Sequence, residues 1–337
     1  MPWPSRFCLR CCCCAPAVCW GAARWRRCEE GRPVIDNGLL VQMLLGALLG
    51  LSVYLPLAAG QLSLATPAFY AVGGTLAALL STRWSALGAT ASGGFPVPSL
   101  LLELVLGGLL AGLLALLVGR LVLRLQGIYL AIATIALVEI VRVAILNLPF
   151  TGGAVGIFAI PQPFATAAGY LLPALALLAL AGWLCQRLEG MPLGRAMAAI
   201  RDDELAARCM GIDTTRVKLT AFVLSAVLAG STGALAAHFL NTWNARQGSF
   251  DASITTLAFV ILGGSRTWLG PVVGGLLLTA LPELLRPVGD VRLVLFGLVI
   301  LLGPVLAPQG LITPGLLERL GRWGERRGGS PAEEVKP

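Results

Sequence analysis

Residues able to do chemistry are few in this chain of 337 residues, and they are unevenly placed. Seven of its nine cysteines, Cys8, Cys11, Cys12, Cys13, Cys14, Cys19 and Cys28, crowd the N-terminal segment, and Cys8/Cys11 and Cys11/Cys14 have metal-ligand spacing. A metal site also needs ordered partner ligands, and the single histidine, His238, is far along the chain. A disordered tail or an over-long start compete with the zinc reading. That lone histidine leaves no Ser/His/Asp or Cys/His set, so a packing or interfacial role is expected for it. The only lysines, Lys218 and Lys336, lie in no G-x-x-x-x-G-K-[ST] context, so the chain has no phosphate-cradling loop of that kind. No enzymatic reading stands, and no cofactor or metal is assigned to the chain.

The densest chemistry is a polar island, RLEGMPLGRAMAAIRDDELAARCMGIDTTRVK, over residues 187–218. Arg187, Arg195, Arg201, Arg208, Arg216 and Lys218 nearly balance Glu189, Asp202, Asp203, Glu204 and Asp213, which is unlike a purely basic membrane-surface loop. Pro192 and Gly194 are expected to break the preceding helix, 195–209 to form a helix, and Gly211 to stop it. The small Ala206 and Ala207 let such a helix approach a partner closely, while Arg201, Asp202, Asp203 and Glu204 can bond across the rim. A solvated loop between helices is the plain alternative.

The elements that must position this island are apolar. The chain is 57% hydrophobic and 12% charged, against about 25% charged in ordinary soluble domains. Runs at 38–59, 62–80, 100–119, 125–146, 170–188, 219–240, 253–264, 272–285 and 293–307 approach the roughly 20 residues of a membrane-crossing helix. The expected fold is an all-α, polytopic transmembrane helical bundle of about eight to ten membrane segments. The segments at 253–264 and 272–285 are short and flank Gly263-Gly264 and Gly270-Pro271, which predicts broken or re-entrant helices.

Basic residues set the orientation. The island, the Arg120/Arg124 turn and the Arg319, Arg322, Arg326, Arg327 tail fall on one side, the cytoplasm, if every segment after the island crosses. Five crossings before the island would then place Arg24–Arg32 outside. The apolar stretch 7–20 offers a short extra span that would repair this parity; it is too short, and lacks the end, for a cleaved signal.

Ionisable residues inside the spans are functional hypotheses by default. Glu139/Arg142 and Glu283/Arg286, each spaced i, i+3, can neutralise themselves near outer helix ends; a structural role competes with a substrate entrance or the docking of a binding protein. Glu103, also near an outer end, is expected to be solvated. The glycine-rich breaks are the better candidates for a substrate path: Gly60, Gln61 and Ser63, where an unwound helix would expose backbone groups to a zwitterion, and Thr151, Gly152 and Gly153 as an outer gate. Close helix packing through small residues is the competing reading.

Four blocks, in order, resemble one family. They are GQLSLATPAFYAVGG at 60–74, GIYLAIATIA at 127–136 with EIVR at 139–142 and TGGAVGI at 151–157, the island, and LGG at 262–264 followed by Gly270-Pro271. Together, over about 34–311, the chain resembles the permease subunits of branched-chain amino-acid ABC importers, of the LivM-like type. Within the island, ELAARCMG from Glu204 to Gly211 is similar to the E-A-A-x-x-x-G signature of such permeases, with the glutamate one place earlier and Leu205 in its usual position. Ala65 and Thr66 stand where the family has Gly-His.

The resemblance implies an importer of the type II permease class. Gly194, Arg195, Ile200, Arg201, Asp202, Glu204, Ala206, Ala207 and Gly211 would form a coupling segment against separate ATPase subunits; Gly60, Gln61, Ser63, Thr66, Thr151, Gly152 and Gly153 would line the path. It implies three domain regions: a tail at 1–33, a permease domain at 34–311 with its coupling loop at 187–218, and a cytoplasmic tail at 312–337. Implied partners are two ABC ATPase subunits using ATP and Mg, a second LivH-like permease, an extracytoplasmic binding protein and the lipid of a bacterial inner membrane. No nucleic acid is implied. Rival readings are an ABC permease for urea or amides, an ion-coupled secondary transporter, and a membrane subunit without a transport role.

Overall fold

The computed structural model describes residues 36–83, 97–125, 127–164, 166–286, 291–306 and 310–311. Backbone groups in hydrocarbon must bond within their own segment, so the apolar runs fold as helices. Among the described residues, five are long and apolar enough to cross a membrane: α1 (Asn37–Ala58), α3 (Val97–Val122), α4 (Ile128–Asn147), α5 (Ala167–Gly190) and α8 (Thr214–Leu240). Helix α2 (Thr66–Arg83) is shorter and carries threonine, serine and glycine, and most of it is buried. The island folds as α6 (Pro192–Asp202) and α7 (Glu204–Cys209). Helices α9 (Phe250–Gly263), α10 (Leu269–Leu284) and α11 (Arg292–Leu306) follow. At 14, 16 and 15 residues these last three are each shorter than a full crossing needs, as expected for the first two.

The centre of the bundle is α1 and α8, with 72% and 67% of their apolar windows buried, while α4 and α5 show 33% and 28%. Small residues set the closest approaches. A Cβ on Gly230 would meet the Gly107 carbonyl at 2.6 Å, and one on Gly73 would meet the Gly230 Cα at 2.5 Å, so α2, α3 and α8 converge there with backbones nearly touching. A second seam joins α1 to α10, where a Cβ on Gly50 would lie 2.6 Å from the Pro271 carbonyl. The exposed leucines of α3, among them Leu109, Leu113, Leu117 and Leu121, form a lipid-compatible outer stripe.

Contacts fix the directions. Gly119 packs on Leu219 and Phe222 while Glu103 bonds His238, so α3 and α8 are antiparallel. Tyr54, near the end of α1, donates to Glu189, near the end of α5, so both helices finish at the island end. Helix α1 therefore starts at the opposite end. The Arg120 end of α3 lies with the island, as the basic pattern predicts. The amide of Leu311 donates to Leu262 at 2.9 Å, bringing the chain after α11 back beside the α9–α10 turn. The cysteine-rich segment, the 7–20 stretch, Arg24–Arg32 and the basic C-terminal tail lie outside the described residues.

At the end opposite the island, β1 (Ile157–Phe158) pairs antiparallel with β2 (Thr242–Trp243). From there the chain turns back inward. Trp243 is 2% exposed, and its indole N–H reaches the Ala71 carbonyl at 3.3 Å and Thr75 Oγ1 at 3.2 Å.

Glu103 departs from expectation. It is fully buried, and its Oε2 lies 2.5 Å from His238 Nε2. The other imidazole nitrogen, Nδ1, lies 2.8 Å from the Pro161 carbonyl, which can only accept, so Nδ1 carries a hydrogen. A carboxyl near a helix end is buried here with a partner 135 residues away bonding Oε2, while Oε1 has no hydrogen-bond partner among the described residues.

Candidate functional site

The island is a helix, a one-residue break and a second short helix. Pro192 sits in the first turn of α6, where a missing N–H costs nothing. The preceding helix ends at Gly190, as expected; Gly194 itself lies within α6, packed against the backbone of Leu188 and Glu189. Met197 and Ile200, three apart on one face, are buried at 3% and 4%, and Met197 packs with Ala59 and Ala221. This face fastens α6 beneath α1 and α8. Arg195, Arg201 and Asp202 lie on the exposed side.

The single helix expected over 195–209 is divided at Asp203, whose φ of −154° and ψ of 112° are extended. Its Oδ1 accepts from the amides of Leu205 at 2.8 Å and Ala206 at 3.1 Å, capping α7. Gly211 ends α7 as expected: at φ +83° it takes the left-handed conformation, and the Ile212 amide returns to the Ala207 carbonyl at 3.1 Å. Asp213 then caps α8 by accepting from the Arg216 amide at 3.1 Å.

Glu204 fixes α7 to α8. It accepts from Arg208 Nη2 at 2.7 Å and from Lys218 Nζ at 2.7 Å, with Lys218 12% exposed. Burial acts to raise its pKa, but the Lys218 ammonium and the Arg208 guanidinium outweigh this and hold the carboxyl below its ordinary range. Ala207 turns inward at 3% exposure, whereas Ala206 faces out. Leu205 and Met210, which sequence reasoning passed over, project from the same segment at 71% and 82% exposure. Two apolar side chains are thus held out from a charged, capped helix. Their signal in the sequence was an apolar residue on each side of the inward Ala207.

The path candidates divide between the two ends. Gly60 to Ser63 form the expected unwound link: Gly60 has φ +72°, and a Cβ there would lie 3.0 Å from the Arg201 Cα. The break between α1 and α2 thus rests directly on α6. Gln61 is 1% exposed, and neither its side-chain oxygen nor its nitrogen has a hydrogen-bond partner among the described residues. The Leu64 amide donates to Thr134 Oγ1 on α4 at 3.1 Å, and Ser63 and Thr66 are both buried. Thr151, Gly152 and Gly153 lie at the opposite end, where the Thr151 hydroxyl closes α4 by bonding the Ile145 and Leu148 carbonyls at 2.5 and 2.7 Å. The expected ion pairs form, Glu139 with Arg142 at 2.7 Å and Glu283 with Arg286 at 2.9 Å. Among the described residues no group of three His, Cys, Asp or Glu side chains could hold a metal.

Comparison with known proteins agrees with this architecture. The family model described as branched-chain amino acid transport system / permease component matches residues 34–303. The high-affinity branched-chain amino acid transport system permease protein LivM of Salmonella typhimurium is 34% identical over 314 residues, covering 84% of this chain and 70% of the relative. LivM of Escherichia coli K12 is 33% identical over 311 residues, 83% of this chain and 70% of the relative. The permease protein LivH of Salmonella typhimurium is 35% identical over 86 residues, 26% of this chain and 28% of that protein. No solved structure matches. With a match spanning its helical bundle and island, the chain belongs to the branched-chain amino acid transport permease family, as a multi-pass membrane component and not an enzyme.

Proposed function

We propose that this chain is one membrane subunit of an ABC importer for branched-chain amino acids. The capped α6–α7 island, with Leu205 and Met210 held outward, carries the reading. In it the island faces the cytoplasm of a bacterial inner membrane and docks on an ATPase subunit, Leu205 and Met210 entering an apolar groove and Arg195, Arg201 and Asp202 bonding at its edge. Two ATPases using ATP and Mg, a homologous second permease and an extracytoplasmic binding protein complete the machine. Substrate is delivered at the β1–β2 end and leaves at the island end as the permeases alternate between two arrangements.

The buried contacts suggest how movement of the ATPase reaches the path. Met197 packs α6 against Ala59, just after α1, and Ala221 of α8, and Arg201 supports Gly60. A shift of α6 moves the unwound 60–65 link, whose buried Gln61 side-chain amide, with both donor and acceptor unpartnered among the described residues, suits a zwitterion's ammonium and carboxylate. Substituting Glu204→Lys or Gly211→Pro should abolish ATP-dependent uptake in a complex of normal abundance. Full uptake after both changes would refute the coupling role. The ion-coupled alternative has one supporting observation, the buried Glu103–His238 pair, and requires uptake driven by a pH gradient without ATP.

A further inference from the structure

A cavity of about 210 Å³ opens at the island end, between the last turns of α1 and α5, helix α6 and the α9–α10 turn. Where one water occupies about 30 Å³, this is ample for a molecule the size of a single amino acid. Leu55, Leu188 and Met197, all buried, give it an apolar floor. Arg195, Arg201, Arg266 and Glu189, all exposed, stand around it. Among the described residues these four make no ion pair with one another or with any other group, although they share one small cavity. Glu189 is nonetheless held in place, since the buried Tyr54 donates to its Oε1 at 2.8 Å, leaving Oε2 free.

We infer that this cavity is a second, cytoplasm-facing binding site for a zwitterionic amino acid with an aliphatic side chain, through which accumulated product restrains the transporter. The inference rests on the importer reading above. The three guanidiniums present forks to an α-carboxylate, the free Glu189 oxygen faces an α-ammonium, and the apolar floor takes the side chain. A simple anion such as phosphate satisfies the arginines but meets repulsion from Glu189 and gains nothing from the floor. A ligand held there joins Arg195 and Arg201 of α6 to Glu189 of α5 and Arg266 of the α9–α10 turn. It therefore favours the island position seen here and opposes the displacement that the ATPases must produce.

The test uses the complete transporter in proteoliposomes, with binding protein and labelled leucine outside and ATP inside. Unlabelled leucine loaded with the ATP should lower the initial uptake rate at least about fivefold, the lower end of ordinary allosteric couplings. Loading 4-methylpentanoate, which lacks the ammonium, or inorganic phosphate should not. Glu189→Gln and Arg266→Gln should each lift the inhibition while uptake into leucine-free vesicles stays unchanged. Binding of labelled leucine to the detergent-solubilised transporter without its binding protein, lost in both variants, reports the site independently of uptake. Inhibition of equal size in both variants, inhibition by phosphate or the plain acid alone, or leucine binding untouched by either substitution would overturn the inference. Absence of uptake into leucine-free vesicles would instead count against the importer reading, and the binding measurement would still decide the site.

Discussion

Asp203 and Glu204 are adjacent carboxylates with different work. Asp203 caps α7, and its replacement by alanine should cost about 1 kcal/mol locally. Amide exchange at Leu205 and Ala206 should then speed up about fivefold, while Asp203→Asn, which keeps an acceptor, stays near the original rate. Glu204 is held below its ordinary value of 4.5 by Lys218 and Arg208, so its contribution is complete above that value and lost as pH falls through the lowered one. Lys218→Met removes a favourable charge, so loosening of 205–212, followed by amide exchange during acid titration, should begin at higher pH. The run DDE at 202–204 reads in the sequence as part of one helix over 195–209, because adjacent acids do not show which of them will turn extended and cap. The Glu103–His238 pair was still less legible, because nothing local marks two residues on separate spans as neighbours. His238→Ala strands a buried carboxyl and should cost about 1–3 kcal/mol, read as a lower melting temperature of the purified complex. Replacing both residues by leucine should be milder than the sum of the single changes.

Helices were the most legible elements, since apolar runs of membrane-crossing length leave the backbone few alternatives. Helix α2 begins at Thr66, four residues after the apolar run itself, because 61–65 stay unwound against α4 and α6. Hydropathy does not register such a break; Gly60 and Ser63 did. Glycines serve different geometry by place: Gly107 belongs to the α2–α3–α8 seam, whereas Gly60 and Gly211 hold positive-φ turns at the island. Gly230→Val forces α8 away from Gly107 and Gly73, and should abolish accumulation of folded protein. Gly38→Ala, with nothing within 4 Å of the added Cβ, should leave abundance unchanged. Equal abundance of the two variants in membranes would contradict this packing.

The whole molecule places a gripping surface at one end, a β-paired collar at the other, and small-residue seams between. Directions of the five helices before the island followed from counting, whereas the inward return through Trp243 did not, because 241–249 carries neither helical period nor apolar length. In the proposed reading, the island's exposed face receives work from outside the bilayer. Simultaneous measurement of ATP hydrolysis and leucine uptake in proteoliposomes carrying Leu205→Asp and Met210→Asp together tests this most directly. The prediction is loss of uptake with the permease still folded and inserted, and ATPase subunits released or hydrolysing without transport. Uptake at the unsubstituted rate, with ATPases still bound, would contradict it.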